Sequence, residues 1–113
     1  MIYIYGIKSC DSVKKALKFF KENEIEYQLH DFKQKPVSCE KIDDWLTKTD
    51  IDTLFNSRST TYRNNKLKEL NLDEEGKKEW LCKENLLIKR PIIEHGDELT
   101  VGFNQELYNI KFK

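Results

Sequence analysis

The chain has 113 residues, with 20 lysines and arginines against 20 aspartates and glutamates, and therefore no net charge. This length suits one domain with a single core, and the balanced charge gives no general attraction to nucleic acid or to anionic membranes. No apolar run approaches the roughly 20 residues that span a bilayer, and the N-terminus lacks the features of a signal peptide. We expect a monomeric cytoplasmic protein with no direct nucleic-acid or membrane partner.

The N-terminal third predicts a strand, a helix and a second strand. Residues 2–5 are β-branched and aromatic, as in a strand, and Gly6 ends that run. Four apolar residues then recur on one helical face: Val13, Ala16, Leu17 and Phe20. Residues 26–32 predict the next strand, and the right-handed crossover rule makes the two strands parallel neighbours.

The middle of the chain predicts short helices, and the end returns to strands. We predict one domain over residues 1–113 with a helical insertion at about 38–84, in which the polar stretch NSRSTTYRNN forms turns and caps. Residues 91–94 and 98–103 predict a β-hairpin, and Asn104 can cap a final helix. The order β-α-β, helices, β-hairpin, α indicates an α/β fold.

The three cysteines, Cys10, Cys39 and Cys82, are widely spaced. An odd count without a secretion signal argues against a disulfide framework. There is no CxxC motif, since Val13 stands three residues after Cys10. Dispersed cysteines and only two histidines also argue against a zinc site, so we predict no metal.

Cys10 lies at the junction between the first strand and the first helix. Unpaired amides at a helix N-terminus favour the thiolate, which is the nucleophilic form of cysteine; alternatively, a small residue simply fits this turn. Arg58 in a polar loop and Arg90 before Pro91 could stabilise a thiolate and bind an oxyanion or carboxylate through two hydrogen bonds. They could equally be solvated surface charges.

Three stretches, GIKSCDSVKKA, NSRSTTYR and IKRPII, in this order and at these distances, closely resemble the arsenate reductase-like (ArsC/Spx) family, and most closely its YffB-type branch. The resemblance covers residues 2–108. It implies a thioredoxin-like fold with an inserted helical subdomain and a mixed four-stranded sheet. It also implies a redox-active Cys10, a pocket lined by Arg58 and Arg90, and a cis peptide bond at Pro91.

The family resemblance further implies a thiol oxidoreductase with glutathione as a co-substrate rather than a tightly bound cofactor, and glutaredoxin as a possible partner. The substrate would be a disulfide or a small oxyanion such as arsenate. Glutathione-coupled arsenate reductases carry a segment of the form HNPxCGTSR, where this chain has GIKSCDSVK, and an arginine beyond the last strand, where this chain has VGFNQELY. Spx-type regulators, which bind RNA polymerase, commonly use a CxxC switch that Val13 excludes here.

Several neighbours of Cys10 are secondary candidates for substrate binding: Lys8, Ser9, Asp11, Ser12 and Pro91. Lys8 could add positive potential or be an exposed loop lysine, Asp11 suits the helix terminus, and Ser12 could offer a hydroxyl or an N–H group. Cys39 and Cys82 are left as candidates for a resolving thiol.

Overall fold

The computed structural model describes residues 2–113, which form two compact units. Unit 1 comprises residues 2–35 and 90–113, and unit 2 comprises residues 36–89. Unit 1 contains β1 (Ile2–Gly6), α1 (Asp11–Glu22), β2 (Tyr27–Asp31), β3 (Ile92–His95), β4 (Glu98–Val101) and α6 (Gln105–Phe112). Unit 2 contains α2 (Cys39–Leu46), α3 (Ile51–Leu54), α4 (Thr60–Asn64) and α5 (Glu74–Lys83), with 3₁₀ turns at Leu67–Leu70 and Asn85–Leu87.

The sheet of unit 1 has the strand order β2-β1-β3-β4. β1 and β2 are parallel, as the crossover through α1 requires, whereas β3 pairs antiparallel with both β1 and β4. The predicted mixed four-stranded sheet and the α/β, thioredoxin-like class are therefore confirmed. Unit 2, residues 36–89, contains the helices of the stretch in which we predicted an insertion at about 38–84. The assignment of both units to one domain stays a prediction.

One face of the sheet forms a core with α1 and α6. Ile4 and Ile93 are cross-strand partners, and both are fully buried in this cluster. The buried face of α1 differs from the prediction by one residue, because Phe19 is buried while Leu17 is only partly so. Phe19 makes edge-on ring contacts with Phe20 and Tyr108, which explains its place inside.

Tyr108 fixes α6 against the end of β4. Its ring is fully buried, and its hydroxyl donates to the Gly102 carbonyl at 2.7 Å. Burial raises the pKa of this phenol, so the hydroxyl stays protonated and keeps donating. Gly102 N–H in turn donates to the Pro91 carbonyl at 2.8 Å, which ties the segment after β4 to the residue before β3.

The helices of unit 2 begin at the polar residues that commonly cap helices. Ser38, Asp50, Ser59 and Asp73 each accept a backbone hydrogen bond in the first turn of the following helix. The core contains large side chains from several segments, all fully buried: Ile42, Trp45, Leu54, Leu81, Leu87 and Ile88. A backbone bond from Lys89 N–H to the Leu54 carbonyl closes this unit at its C-terminal end.

Helix α4 was not predicted from the sequence. Its residues, TTYRN, belong to the stretch expected to form turns and caps, and none of them is buried. Hydrophobic periodicity therefore had nothing to detect. The helix begins because the Ser59 hydroxyl accepts the Tyr62 N–H at 3.1 Å, and the Phe55 ring meets the Tyr62 ring edge-on.

Cys39 and Cys82 form a disulfide in the structure, which corrects the expectation that this chain has none. Their Cα atoms are 5.0 Å apart although 43 positions separate them in sequence. The two residues meet because Cys39 opens α2, Cys82 is near the end of α5, and these helices pack together. The spacing of cysteines in the sequence does not indicate which helices pack together, so this pairing could not be predicted from it.

No helix within residues 2–113 is long and apolar enough to cross a bilayer.

His95, at the end of β3, should make stability depend on pH. Burial lowers its pKa from 6.5; Glu98, 3.3 Å from Nδ1, opposes this shift and Lys111 adds to it. The folded state thus favours the neutral ring while the unfolded state accepts a proton more readily. The contribution of His95 to the free energy of unfolding is fully present above pH 6.5 and decreases as the pH drops below that value. We expect the melting temperature to decrease on acidification from pH 7.5 to 5.5.

His95→Gln is the control for this pH dependence. It retains a polar side chain beside the Thr100 hydroxyl, which lies 3.0 Å from His95 Nε2, but it does not titrate. The variant should show a smaller change in melting temperature over the same interval. If the melting temperature changes equally with pH in both proteins, His95 is excluded as the source of the pH dependence.

Candidate functional site

Cys10 caps α1 from the loop that follows β1. Its backbone is extended, its N–H donates to the Ile7 carbonyl at 3.1 Å, and its carbonyl accepts the Lys14 N–H at 3.0 Å as the first bond of the helix. The thiol is free and partly exposed, and no side-chain cap hydrogen bond forms at this residue within the part of the chain that the structure describes. The prediction that a thiol stands at the start of α1 is confirmed.

The chain is closely packed at Gly6, the residue just before the loop that carries Cys10. Gly6 is the last residue of β1, and a β-carbon placed there would lie 2.5 Å from Cγ2 of Val13. Val13 is fully buried in the first turn of α1, so it has little room to move. The absent side chain at Gly6 therefore lets the first turn of α1, next to Cys10, approach the end of β1.

Arg90 and Pro91 lie at the same end of the sheet as the Cys10 loop. Tyr5 pairs with Ile92 in the antiparallel register, so the chain just after Tyr5 and the chain just before Ile92 share one edge. The Arg90–Pro91 peptide bond is cis, as expected. Arg90 is partly buried, which distinguishes it from a fully solvated surface charge.

Arg58 belongs to unit 2 and lies in the loop before α4, where it is exposed. Its N–H donates to Asn56 Oδ1 at 3.1 Å, and Asn56 N–H donates to the Leu87 carbonyl at 2.8 Å. The next residue, Ser59, caps α4. The loop that holds Arg58 is thus fixed within its own unit, while the approach of Arg58 to Cys10 stays a prediction.

The secondary candidates surround Cys10 along the chain. Lys8 and Ser9 are exposed in the turn before it, Asp11 is exposed as the first residue of α1, and Ser12 is partly buried. Asp11 is well placed to stabilise the positive end of the helix dipole, as expected. Across residues 2–113 no cluster of three or more histidine, cysteine, aspartate or glutamate side chains could hold a metal ion.

A family model for the ArsC family matches residues 5–110. The chain belongs to the ArsC family. A solved structure called the YffB (PA3664) protein matches it with a TM-score of 0.91 and 31% identity, covering 100% of both chains. The solution structure of an arsenate reductase (ArsC) related protein from Brucella melitensis matches with a TM-score of 0.77 and 32% identity, covering 99% of this chain and 94% of that one.

Curated relatives of this ArsC-family chain include proteins of different kinds. It is 39% identical over 113 residues to an uncharacterized protein of Haemophilus influenzae, covering 99% of each. It is 28% identical over 110 residues to the global transcriptional regulator Spx of Lactiplantibacillus plantarum, covering 94% of this chain and 82% of that protein. The predicted ArsC/Spx resemblance, with its YffB-like branch, is confirmed.

One polar cluster of this ArsC-family chain was missed at the sequence level. The Tyr5 hydroxyl donates to Glu94 Oε1 at 2.7 Å, and the Tyr5 ring lies 4.9 Å from the His30 ring. The three residues come from three strands, and the sequence placed Tyr5 only in the run that predicts β1. No local pattern signals such a contact, because it depends on strand order and register.

Proposed function

We propose that this ArsC-family chain is a cytoplasmic thiol oxidoreductase in which Cys10 is the single nucleophile and glutathione is the co-substrate. The observation that carries the proposal is a free, partly exposed thiol at the N-terminal cap of a twelve-residue helix. The amides of the first turn lack intrahelical acceptors and lie where they stabilise a thiolate. A thiolate nucleophile needs no separate general base, which agrees with the absence of a histidine from the neighbouring sequence.

The proposed reaction uses two thiol–disulfide exchanges. The Cys10 thiolate attacks the glutathione sulfur in a mixed disulfide of glutathione and a second thiol, and the second sulfur leaves as a thiolate that takes up a proton. The thiolate of another glutathione then attacks the glutathione sulfur bound to Cys10. Glutathione disulfide leaves and the Cys10 thiolate is restored, so two electrons pass from glutathione to the substrate.

Arg58 and Arg90 are proposed to hold the anionic groups in this reaction. A planar guanidinium matches a carboxylate with two parallel hydrogen bonds, and glutathione carries two carboxylates. Lys8, Ser9, Asp11, Ser12 and Pro91 would line the substrate's path to Cys10. The placement of Arg90 at the Cys10 end of the sheet supports its part in this proposal.

A small oxyanion such as arsenate, with glutaredoxin as partner, is the alternative substrate class. The segment after β4 has no basic residue before Lys111, so an arginine that arsenate reductases carry there has no counterpart. We therefore favour a disulfide substrate. NADPH oxidation that depends on arsenate in the presence of glutathione, glutathione reductase and glutaredoxin would instead favour arsenate.

A second candidate function is favoured by the Spx relatives, which are transcriptional regulators by name. Under this alternative the chain would bind RNA polymerase. Val13 occupies the place of the second cysteine in a CxxC switch, so the redox response of this kind of regulator would be absent here. Specific retention of polymerase subunits by the immobilised protein, together with no glutathione-dependent turnover, would favour the regulator over the enzyme.

The arginine roles predict a defect in glutathione use. We expect Arg58→Ala and Arg90→Ala each to raise the KM for glutathione by about 10- to 100-fold, the loss of one charge-assisted pair of hydrogen bonds. The assay follows NADPH oxidation by glutathione reductase with the mixed disulfide of glutathione and cysteine as substrate. Lysine at either position should restore only part of the affinity, because an ammonium cannot form the paired contact.

Arg63→Ala is the matched control for the arginine variants. Arg63 is exposed on α4, five residues after Arg58, so the substitution removes the same charge as the other two variants and, as for Arg58, removes it from unit 2. Its KM should stay within about twofold of the parent, as for a surface substitution away from a site. Unchanged KM values in both Arg58→Ala and Arg90→Ala would contradict the proposed role, and no turnover with any disulfide would contradict the enzyme itself.

A further inference from the structure

Cys39 and Cys82 connect two helices of unit 2 and lie outside the Cys10 loop. Cys39 is the first residue of α2 and Cys82 is the penultimate residue of α5. Their Cα separation of 5.0 Å falls within the range that a disulfide spans without backbone movement. Neither residue takes part in the proposed reaction at Cys10.

The two helices are also held together without the disulfide. The buried Asn85 side chain accepts the Val37 N–H at 2.7 Å and donates to the Leu81 carbonyl at 3.0 Å, so it ties the residue before the cap of α2 to the end of α5. Lys78 Nζ lies 2.5 Å from Asp43 Oδ1 and joins the same helices on the surface. These contacts do not involve sulfur, so reduction of the disulfide removes none of them directly.

The hydrophobic core of unit 2 acts in the same direction. Trp45 and Ile42 on α2 and Leu81 on α5 are completely buried. Because packing and hydrogen bonds fix both helices, the reduced thiols stay near each other. Such preorganisation gives the second thiol a high effective concentration toward the first, and thus favours ring closure over a lasting mixed disulfide.

Neither cysteine residue is sealed in the core. Cys39 is an exposed residue and Cys82 is partly exposed. Ser38 caps α2 through the Lys41 N–H at 3.2 Å, so Cys39 stands in the first turn of an eight-residue helix, where backbone amides favour a thiolate. Accessible disulfides are the ones that exchange most readily with small thiols.

We propose that Cys39 and Cys82 form a second redox site, a dithiol/disulfide pair that exchanges with low-molecular-weight thiols and disulfides while unit 2 stays folded. In the oxidising direction the Cys39 thiolate attacks a small disulfide and one small thiolate leaves. The Cys82 thiolate then attacks the Cys39 sulfur, and the second small thiolate leaves. The protein loses two electrons and two protons, and the small disulfide becomes two thiols.

The test uses the full chain with Cys10→Ser, so that only the pair can react. The protein is equilibrated in buffers with varied ratios of glutathione to glutathione disulfide, and the exchange is quenched with acid. The free thiols are then labelled with a maleimide, and the mass of the intact protein is measured by mass spectrometry. We expect both thiols to disappear together in one two-electron transition that reverses when glutathione is added back. Far-ultraviolet circular dichroism should be the same in both states.

The cross-link should also change stability. For a loop of 43 residues, the melting temperature of the reduced form should lie about 15 °C below that of the oxidised form. The variant with Cys39→Ser added should lack this difference, and should instead accumulate a glutathione adduct at Cys82.

Three results would overturn the proposal. One is a pair that remains fully reduced at every excess of glutathione disulfide. Another is a disulfide that resists excess glutathione until the protein is unfolded, which would make it an inert structural bond. The third is loss of helical circular dichroism on reduction at 25 °C, which would mean that the contacts around Asn85 cannot hold the helices alone.

Discussion

Replacing Cys10 with serine is expected to abolish glutathione-dependent turnover, a loss of roughly three orders of magnitude or more, while the fold is kept. Serine has nearly the same size, but its hydroxyl stays protonated at neutral pH and cannot replace a thiolate. It is also a preferred N-cap residue, and the extended backbone at Cys10 suits that role. The variant should therefore be inactive yet equal to the parent in stability, or more stable by up to about 1 kcal/mol.

Loss of activity without loss of stability distinguishes a nucleophile from a structural cysteine, because replacing a structural cysteine would lower both. The NADPH-coupled assay and thermal unfolding measure the two quantities on the same samples. The paired variant Cys39→Ser with Cys82→Ser is the control, and it should keep the turnover of the parent at 25 °C. Full activity of Cys10→Ser would remove Cys10 from the mechanism, whereas inactivity of the paired variant would assign the resolving step to Cys39 or Cys82.

Gly6→Ala is the second substitution with a large expected effect. The added methyl group would lie 2.5 Å from Cγ2 of Val13, a distance that real β-carbons do not tolerate. Either β1 or the first turn of α1 must shift, and overpacking of this kind costs about 1–3 kcal/mol. Because Cys10 is the cap of that turn, we expect turnover to fall together with the free energy of unfolding.

A second change should relieve the first. Val13→Ala removes Cγ2 and leaves the β-carbon of residue 13 at 3.7 Å from the new methyl group. The double variant should therefore be less destabilised than the sum of the two single variants, and it should regain part of the turnover. Chemical denaturation of the four proteins gives the coupling energy. Additive losses would show that the contact with Val13 is not what excludes a side chain at position 6.

The strands and the first helix could be predicted because each has a strong local pattern. Residues 2–5 form a β-branched and aromatic run, and the apolar residues of α1 recur at the helical period. Strand signals return near residue 92, and the family resemblance implied a sheet of four strands. The position of Cys10 followed from these boundaries alone. Here the local signals and the global fold agree, as they do in sequences that fold reliably.

The remaining features depend on residues distant in sequence. Helix α4 buries no side chain, so its only local signal is Ser59, a residue equally typical of a turn. The Cys39–Cys82 bond and the Tyr5–Glu94 hydrogen bond join residues 43 and 89 positions apart. The partial burial of Arg90 is likewise a result of packing. A single sequence carries no pattern at these spacings.

The strand order has a consequence for synthesis of the chain. Unit 2 is one continuous stretch, whereas unit 1 is assembled from two segments, residues 2–35 and 90–113, with β1 between β2 and β3. As the ribosome releases the chain from its N-terminus, β1 and β2 emerge early, but the neighbour on the other side of β1 comes only after residue 89. The growing chain therefore carries an open apolar strand edge throughout translation of its middle, and that interval is when aggregation or chaperone binding has its opportunity.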